Sequence, residues 1–330
     1  MSKGINRRGF MKESLLTSAG GAFALQAGSK GAQGAAKNTQ PSVKPQSKAV
    51  LPMGKIKDIQ VSRMLLGGNL LTHYTHSRDL RYVYSLTAHY NTDEKIFETM
   101  AEAEAHGINT LVIHTAPRTM ELLTKYRNQW GGKIQWIICP TAEIDDSMEA
   151  YTKQVKQIVE DGVDAIYLWG VRSDVLAAQG KMGLMAKAVE IAKDFGVPSG
   201  VGAHDLLAIK LCEEHKVPAD FYIKTMHHHN YPTAPKPDEL EKPIAEVPGY
   251  WCQNPQEVID FMQTVEKPWI AFKVMAAGAI HPKDAFPYVF EKGADHVLAG
   301  MFDFEIAEDV NILKTALAQA EKKRVRPWRS

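Results

Sequence analysis

From residue 63 onward, short apolar runs alternate with longer stretches in which apolar positions recur every three to four residues. The short runs have the composition of buried strands, and the longer stretches have the period of amphipathic helices. Strand candidates are RMLLGGN (63–69), NTLVIHT (109–115), IQWIICP (134–140), AIYLWG (165–170), PSGVGAH (198–204), DFYIKTMH (220–227), WIAFKVMAAG (269–278) and HVLAGM (296–301). This alternation predicts parallel strands covered by helices.

The number of units indicates a closed barrel. Eight β/α units in about 260 residues match the size of one (β/α)8 barrel. A doubly wound open sheet is the alternative, but no Gly-x-Gly-x-x-Gly turn follows the first strand. The predicted fold class is therefore α/β, a single (β/α)8 (TIM) barrel over residues 58–322, with a C-terminal tail at residues 323–330.

The N-terminal segment differs from the rest of the chain. A twin arginine, an aromatic residue and a lysine precede an Ala/Gly-rich run in NRRGFMKESLLTSAGGAFALQAG. This order resembles a bacterial twin-arginine export signal, and a disordered basic tail is the alternative. The run is too short to span a bilayer. We predict an export signal at residues 1–36, a linker at 37–57, and a periplasmic or otherwise exported protein that keeps no membrane span after the signal is removed.

Composition narrows the classes of partner. The chain has 330 residues, 45% of them hydrophobic, and a formal net charge of +1, so it can bury one large core and has no electrostatic reason to bind nucleic acid. Three widely spaced cysteines form no zinc-binding pattern and no disulfide framework. A small-molecule substrate is the expected partner, and the oligomeric state is left open.

Histidines collect where the predicted strands end. Active sites of (β/α)8 barrels lie at the C-terminal ends of the strands. The second strand ends at His114, the fifth at His204, and the sixth runs into His227, His228 and His229. A long connection after the first strand, LLTHYTHSRDLRYVYSLTAHYNT, carries further histidines, and its length is typical of a lid over the mouth.

Several of these segments resemble the aldo/keto reductase family. VSRMLLGGN is similar to the opening strand of that family, AEAEAHGINTLVIHTA to its second strand, GVGAHDLLAIKL to its fifth, and VLAGMFDFEIAEDVNIL to its last strand and following helix. The resemblance implies a (β/α)8 fold and carbonyl reduction with a nicotinamide cofactor through an Asp, Tyr, Lys and His tetrad.

The four tetrad positions differ from the family pattern. His114 stands where the resemblance places the aspartate, and PRTMELL follows instead of a Tyr-Gly pair. The third strand ends in CPT instead of lysine, and the fourth ends in WG instead of histidine. We therefore predict that the tetrad is lost and that NADP is not the cofactor.

One hypothesis for the mouth is a metal site. Imidazoles from several strand ends, together with a carboxylate, suit zinc, manganese or iron. The candidate ligands are His114, His204 and His228, with Glu143 or Asp303 as the carboxylate. The alternative is that these histidines hydrogen-bond a polar substrate or one another.

A second hypothesis uses His204, His228, Lys273 and Lys224 without a metal. Lys224 and Lys273 interrupt apolar strands, and a buried lysine has a lowered pKa or an ionic partner. Such a lysine forms a Schiff base with a carbonyl or acts as a base, whereas an internal ion pair is the structural alternative. Because side chains alternate along a strand, only one subset of the sixth-strand residues enters the barrel. We predict Lys224 and His228 inside, with His227 and His229 inside as the other register.

Further polar and aromatic side chains are candidates for contacting the substrate. They are Asn69, His76, Trp169, Tyr231 and Asp303. Together these features predict an exported enzyme that acts on a small polyhydroxylated or keto-sugar-like compound by His/Lys acid-base chemistry, with or without a metal, as a lyase, isomerase or hydrolase. The alternatives are an NADP-dependent reductase of the aldo/keto type and a non-catalytic barrel that binds a small molecule.

Overall fold

A computed structural model describes residues 50–77, 80–236 and 252–330 of the chain. The predicted export signal and linker residues 37–49 lie outside the described residues. No helix in the described part is long and apolar enough to cross a membrane.

Eight parallel strands form a closed barrel, and each begins within one of the runs predicted to be strands. The barrel strands are β3 (Met64–Gly67), β4 (Thr110–His114), β5 (Gln135–Cys139), β6 (Ala165–Leu168), β7 (Ser199–Ala203), β8 (Phe221–Thr225), β9 (Trp269–Phe272) and β10 (His296–Ala299). β10 pairs with β3 and thereby closes the circle. The predicted (β/α)8 architecture is confirmed.

Helices follow the strands and cover the outside of the barrel. Their bounds are α1 (Tyr82–Tyr90), α2 (Asp93–Ala105), α3 (Thr119–Lys125), α4 (Glu149–Glu160), α5 (Gly170–Ala178), α6 (Met182–Asp194), α7 (Leu206–Glu214), α8 (Pro255–Thr264), α9 (Pro282–Glu291) and α10 (Asp303–Ala320). A single π-helical turn, Tyr126–Trp130, extends α3. Both α8 and α9 begin with a proline. Proline suits this position because an N–H group in the first helical turn has no acceptor within the helix.

Side chains alternate between the two faces of each strand, so the apolar core has an inner and an outer layer. Residues that point into the barrel form one compact cluster, which includes Leu65, Val112, Ile137, Phe221 and Ile223. The residues between them along the strands pack against the helices and join the larger outer core. The lumen is therefore filled by side chains.

A hairpin closes the N-terminal end of the barrel, which we call the floor. β1 (Met53–Ile56) and β2 (Ile59–Ser62) pair antiparallel, and Ile56 and Val61 join the lumen cluster. The prediction that the linker extends to residue 57 is wrong, because Met53–Ile56 is already a strand of the folded body. Four-residue strands flanked by lysine and aspartate have too little apolar pattern to be distinguished from a linker.

The C-terminal residues complete the floor. Asp295 is fully buried and pairs with Arg324 at 3.0 Å and with Arg326 at 2.7 Å. The ring of His296, also fully buried, lies 2.9 Å from the carbonyl oxygen of Ser62 and 2.6 Å from the hydroxyl of Ser330. Residues 323–330, predicted as a tail, therefore include side chains buried in the barrel floor.

The barrel strands end before the predicted limits, and for β8 and β9 the early end changes the opposite opening of the barrel, which we call the mouth. β8 stops at Thr225 and does not reach the histidines. β9 stops at Phe272 and continues as a tight turn in which Lys273, Ala276 and Ala277 have φ values of 57°, 47° and 54°. Left-handed backbone costs about 1–2 kcal/mol for each residue other than glycine, so this turn is strained.

Candidate active site

Four basic side chains from different elements converge at the mouth. His114 is the last residue of β4, His204 follows β7, Lys273 follows β9, and His76 belongs to the connection after β3. The Nζ atom of Lys273 lies 3.3 Å from Nε2 of His76. Burial lowers the pKa of His76, and Lys273, His204 and His114 act electrostatically on it and lower it further. Three of the candidate residues named from the sequence, His114, His204 and Lys273, therefore lie near His76.

His76 reaches the mouth because the connection after β3 folds back over it. Nε2 of His73 lies 2.7 Å from the carbonyl oxygen of Asn91, and the amide of Asn91 donates to the carbonyl oxygen of Leu70 at 2.9 Å. These contacts tie the two ends of the connection together. Between them, Tyr74 makes edge contacts with the rings of both His76 and His114, at centroid distances of 5.2 and 5.7 Å.

A buried carboxylate orients His204. Nδ1 of His204 lies 2.8 Å from Oδ2 of Asp174, and the backbone N–H groups of His204 and Asp205 donate to the same carboxylate at 3.0–3.1 Å. Since an ionised carboxylate can only accept, the imidazole proton lies on Nδ1. The other nitrogen of His204, Nε2, therefore carries a lone pair, as a general base requires.

Asp174 was missed from the sequence. It lies on α5 and is only 4% exposed. Neighbouring Ser173, also on the buried face of this helix, donates a hydrogen bond to the carbonyl oxygen of Gly170. The only sequence signal is a polar pair on the inward face of a short amphipathic helix that follows a strand end.

Burial keeps the mouth imidazoles neutral. It lowers the pKa of His76 to about 3, with further contributions from Lys273, His204 and His114. Burial also lowers the pKa of His114 and of His204; for His204 the hydrogen bond to Asp174 opposes this effect, while Lys273 reinforces it. At neutral pH these three histidines are therefore uncharged.

Tyr167 and Cys139 form a second feature that sequence reasoning missed. The two residues lie on neighbouring strands, and their side chains are hydrogen-bonded to each other. Burial raises the pKa of the Tyr167 hydroxyl well above its ordinary value and raises that of the Cys139 thiol to about 12. Both groups are neutral at physiological pH, so neither is a ready nucleophile.

Lys224 does not enter the lumen. Phe221 and Ile223 belong to the lumen cluster, so Tyr222 and Lys224 face the helices. The Lys224 ammonium donates to the carbonyl oxygen of His204 at 2.8 Å and to the carbonyl and hydroxyl oxygens of Thr225 at 3.1 and 2.7 Å. The predicted register of this strand is therefore wrong. Lys224 ties the ends of β7 and β8 together and supports the His204 backbone from behind.

Two of the three consecutive histidines hold a returning segment of chain. His227 is fully buried; its Nδ1 donates to the carbonyl oxygen of His228, and its Nε2 accepts from the backbone N–H of Cys252 at 3.3 Å. Nε2 of His229 donates to the carbonyl oxygen of Cys252 at 2.6 Å. Two of the histidines thus clamp both backbone groups of Cys252, the first described residue after the long connection that follows β8.

His228 points away from the mouth. Its ring makes an edge contact with Tyr288 of α9 at a centroid distance of 5.0 Å, and its Nδ1 accepts from the backbone N–H of Asn230 at 3.1 Å. His228 therefore faces α9, contrary to the second hypothesis from the sequence, which uses His228 together with His204 and Lys273. The reason is the early end of β8 at Thr225, which allows the following residues to turn outward.

The predicted metal ligands do not form a cluster. In residues 50–77, 80–236 and 252–330, no group of three or more His, Cys, Asp or Glu side chains is arranged to hold a metal ion. His228 is directed toward α9, and Glu143 is exposed in the loop after β5. Asp303 accepts from the Tyr90 hydroxyl at 2.6 Å and pairs with Lys95 at 3.1 Å. The donor set named from the sequence therefore does not fit a metal centre.

The remaining predicted substrate contacts lie in different places. The carbonyl oxygen of Asn69 accepts from the backbone N–H of Tyr74, so Asn69 shapes the connection that carries His76. Trp169 is half-buried immediately before α5, the helix that bears Asp174. Tyr231 packs 6.1 Å from the ring of His227, beside the histidine clamp. Of the five predicted substrate contacts, His76 is the one whose side chain contacts the basic cluster at the mouth.

Comparisons with known proteins identify the fold. No protein-family model and no curated protein matches the sequence. A provisionally named aldo-keto reductase from Pseudomonas aeruginosa is 16% identical, with a TM-score of 0.54 over 85% of this chain and 100% of its own. An aldo-keto reductase from Bacillus halodurans, in its holo form, is 11% identical, with a TM-score of 0.51 over 85% of this chain and 100% of its own. The chain thus has a (β/α)8 fold that resembles the aldo-keto reductases.

Proposed function

We propose that this barrel is an enzyme that moves a proton on a small polyhydroxylated or keto-sugar-like compound bound at the mouth. The observation that carries the proposal is the Asp174–His204 pair, because a buried carboxylate fixes the tautomer that leaves Nε2 of His204 as a base. Lys273, which acts electrostatically on His204, supplies the positive charge. His76 and His114 are the candidate proton donors and acceptors beside it.

The proposed step begins at a carbon next to the substrate carbonyl. Nε2 of His204 takes the proton, the C–H electron pair becomes a C=C bond, and the carbonyl π electrons move to oxygen to give an enediolate. The Lys273 ammonium stabilises the oxygen on which negative charge develops. Return of the proton to the former carbonyl carbon, together with transfer of the hydroxyl proton, completes an isomerisation. Departure of a β-hydroxyl group as water would make the same intermediate part of a lyase reaction.

The acid-base assignment follows from charge state and burial. A general base acts best when its neutral form predominates at the working pH, and burial lowers the pKa of His204 in that direction. The Asp174 carboxylate then stabilises the imidazolium that forms during the reaction. Lys224 has a positioning role, because its ammonium contacts the His204 carbonyl oxygen and lies outside the lumen.

Proton exchange with solvent tests this proposal without knowledge of the product. The full chain is incubated with a panel of 2-keto sugars in D2O, and loss of the C–H signal next to the carbonyl is followed by proton NMR. We expect the wild-type protein to catalyse exchange with at least one member of the panel. We expect His204→Ala to lower the rate by about 100-fold or more, the effect of removing a general base.

A surface histidine provides the matched control. His215 is exposed at the C-terminal end of α7, so His215→Ala should exchange at the wild-type rate. Thermal unfolding of His215→Ala should match wild type, whereas His204→Ala loses a buried hydrogen bond to Asp174, so exchange rates are compared per folded molecule. Exchange by His204→Ala at the wild-type rate would disprove the assignment of the base.

Reduction of carbonyls with NADP is the alternative function, and the fold resemblance to aldo-keto reductases favours it. We propose against it because the four tetrad positions carry other residues in this sequence. Oxidation of reduced nicotinamide by the purified protein with carbonyl substrates, in the absence of proton exchange, would reverse this choice. Binding of a sugar without proton exchange and without oxidation of reduced nicotinamide would favour the third possibility, a non-catalytic barrel that binds a small molecule.

Export and metal content belong to the proposal as well. We propose that the protein works in the periplasm, since residues 7–24 resemble a twin-arginine signal. Fractionation of cells that produce the full chain, compared with a variant in which Arg7 and Arg8 are lysines, tests this. The step above uses no metal ion, and a stoichiometric metal together with loss of exchange on chelation would contradict that part of the proposal.

A further inference from the structure

We propose that a cavity between the first turns of α7 and α8 binds the hydroxylated chain of the substrate, and that Asp205 and Lys210 contact its hydroxyl groups. This inference rests on the proposed function, because it places the part of a keto sugar that lies beyond the atoms on which His204 acts. The cavity has a volume of about 190 Å³. The polar residues of its wall include His204, Asp205, Lys210, Lys224, Asn254 and Glu257.

The cavity adjoins the proposed base. His204 lines it and is only 8% exposed, and the next residue, Asp205, is the N-cap of α7. Nδ1 of His204 is held by Asp174, whereas Nε2 has no hydrogen-bond partner within the described part of the chain. A substrate whose reacting carbon lies at Nε2 can therefore extend its following carbons past Asp205 into the cavity.

The size of the cavity suits a part of the substrate. A cavity needs about 10–15 Å³ to hold one water molecule, so about 190 Å³ has room for several groups of that size. Pockets that enclose a whole drug-sized ligand usually have about 300–1,000 Å³. A short hydroxylated chain therefore fits the cavity, while the carbonyl end of the same compound stays at the mouth.

The formal charges on the cavity wall balance. Asp205 and Glu257 are carboxylates, and Lys210 and Lys224 are ammonium groups. Lys210 lies 2.5 Å from Glu257, and the buried Lys224 already donates to three oxygen atoms of the chain. Two charges of each sign give no net attraction for an ion. A hydroxyl group, which both donates and accepts, matches such a wall.

The helix starts do not make this cavity a phosphate site. Anions bind at helix N-termini through backbone N–H groups that have no other acceptor. In α7 the N–H of Leu207 donates to Oδ1 of Asp205 at 2.9 Å, and in α8 the N–H of Glu257 donates to the side-chain oxygen of Asn254 at 3.3 Å. Each helix is thus capped by a side chain of the protein, and the Asp205 carboxylate repels an anion.

Asp205 and Lys210 keep hydrogen-bonding capacity for a ligand. Within the residues that the structure describes, Asp205 accepts through Oδ1 alone, so Oδ2 is available to a hydroxyl donor. The Lys210 ammonium donates to Glu257 and has two further N–H groups. A chain with hydroxyl groups on successive carbons can therefore donate to Asp205 and accept from Lys210.

Keto sugars that share one end and differ in the length of the hydroxylated chain test the inference. They are dihydroxyacetone, L-erythrulose and D-xylulose, and D-xylulose 5-phosphate is included to test for a charge preference. Binding of each to the full chain is measured by ligand-observed NMR titration at pH 7.5. We expect Kd to fall by at least about tenfold from dihydroxyacetone to xylulose, as charge-assisted hydrogen bonds are added. The phosphate should bring no further gain.

Substitutions in the cavity wall identify the groups responsible. Asp205→Asn and Lys210→Met should each raise the Kd of xylulose by about tenfold and leave that of dihydroxyacetone nearly unchanged. Asparagine caps a helix about as well as aspartate, and Lys210 is 39% exposed, so both variants should fold. Asp194→Asn and Lys187→Met, at exposed positions of α6, are the controls and should bind every compound as wild type does.

Several results would overturn the inference. They are equal affinities for the three sugars, a preference for the phosphate, unchanged binding of xylulose by either cavity variant, or failure of all the compounds to bind. Since these measurements need no turnover, they are separable from the test of function. Chain-length-dependent binding that is lost in Lys210→Met, without His204-dependent exchange, would keep the inference and remove the proposed function. Exchange on dihydroxyacetone without any gain from a longer chain would do the reverse.

Discussion

The floor and the mouth of this barrel use the same kinds of residue in opposite arrangements. At the floor, Asp295 lies between Arg324 and Arg326, and each of these buried charges is compensated by an opposite charge. At the mouth, Asp174 supports one imidazole from behind, while His76, Lys273 and the other histidines lie close together and the imidazoles are neutral. Opposite charges hold the floor together, whereas burial at the mouth keeps the imidazoles neutral.

The floor and the mouth also differ in backbone strain. The floor hairpin pairs regularly from Met53 to Ser62, and the strain near it is limited to its turn at Lys57. The turn after β9 has a left-handed lysine and two left-handed alanines within five residues. Strain of this kind is maintained by the stability of the rest of the fold and is commonly found where ligands bind. The difference predicts that substitutions at the floor mainly change stability and that those at the mouth mainly change chemistry.

The largest expected effect is at the floor. Asp295→Ala should lower the free energy of unfolding by about 3–5 kcal/mol, because it leaves two buried guanidinium groups without their carboxylate. Urea unfolding followed by circular dichroism measures the change. The exchange rate per folded molecule should remain that of the wild type, since the mouth is at the other end of the barrel.

Glu266 is the control for this substitution. It pairs with Arg329 at 3.2 Å but is 81% exposed, so Glu266→Ala should change the unfolding free energy by less than about 0.5 kcal/mol. Similar losses in the two variants would mean that burial does not distinguish the floor network from an ordinary surface pair.

Next in size is the pH dependence of stability that a buried floor histidine produces. Burial, reinforced by Arg63, lowers the pKa of His296 to about 4 in the folded protein, whereas the ordinary value of 6.5 applies when the chain is unfolded. As pH falls below 6.5 the unfolded chain therefore takes up the proton first, and folded-state stability is lost. At pH 4 this loss is about 3 kcal/mol.

His296→Asn isolates that contribution. The variant is expected to be less stable than wild type at pH 7.5, and the difference should shrink by about 3 kcal/mol when both are measured at pH 4. His215→Asn, at an exposed histidine, should follow the wild-type curve throughout. A constant difference between His296→Asn and wild type at pH 7.5, 6, 5 and 4 would contradict the assignment.

The barrel could be predicted from the sequence because its signal is repeated in every unit. Each strand is a short apolar run, and each is followed by a helix-period segment, so errors in one unit do not affect the fold class. His114, His204 and Lys273 could be predicted as mouth residues for the same reason, since they terminate or follow such runs. The position of a residue at a strand end does not depend on the strand register.

The register of β8 and the contacts of residues behind the mouth could not be predicted in this way. Polar residues were expected to face the lumen, but the helix layer offers partners for them: Tyr222 donates to Glu213 at 2.6 Å, and Lys224 has three backbone or hydroxyl acceptors. Asp174 was missed for a related reason. A charged residue on a helix usually lies on the solvent face, and only the packing of α5 against β7 reveals that this one is buried.

A smaller effect on the exchange rate is expected for substitution of Asp174, whose carboxylate holds His204. Asp174→Asn should lower the exchange rate by about ten- to hundredfold, in the range found for outer groups that orient catalytic ligands. An asparagine that turns its NH2 group toward Nδ1 favours the tautomer with the proton on Nε2, which is no longer a base. Loss of the negative charge also removes a contribution that raises the pKa of His204, so the acid limb of the rate profile should move to lower pH.

Asp194 serves as the matched control for that variant. It is exposed at the end of α6, so Asp194→Asn should retain both the rate and the pH profile of the wild type. A structural role of Asp174 alone would lower the amount of folded protein without moving the acid limb. An unmoved limb at a normal folded fraction would therefore argue against its action through His204.

The smallest effect concerns the strained turn at the mouth. Ala277 has a φ of 54°, and glycine adopts this conformation without the steric cost of about 1–2 kcal/mol but loses about 0.5–1 kcal/mol more conformational freedom on folding. Ala277→Gly should therefore raise the unfolding free energy by about 0.5 kcal/mol, and Lys216→Gly, with the same backbone conformation at an exposed site, should do the same. The two variants should differ in function, because glycine at 277 loosens the turn that directs Lys273 and should lower the exchange rate by about two- to threefold, equivalent to less than 1 kcal/mol. Equal rates in both variants, measured at matched folded fractions, would mean that the strain after β9 has no part in orienting the lysine.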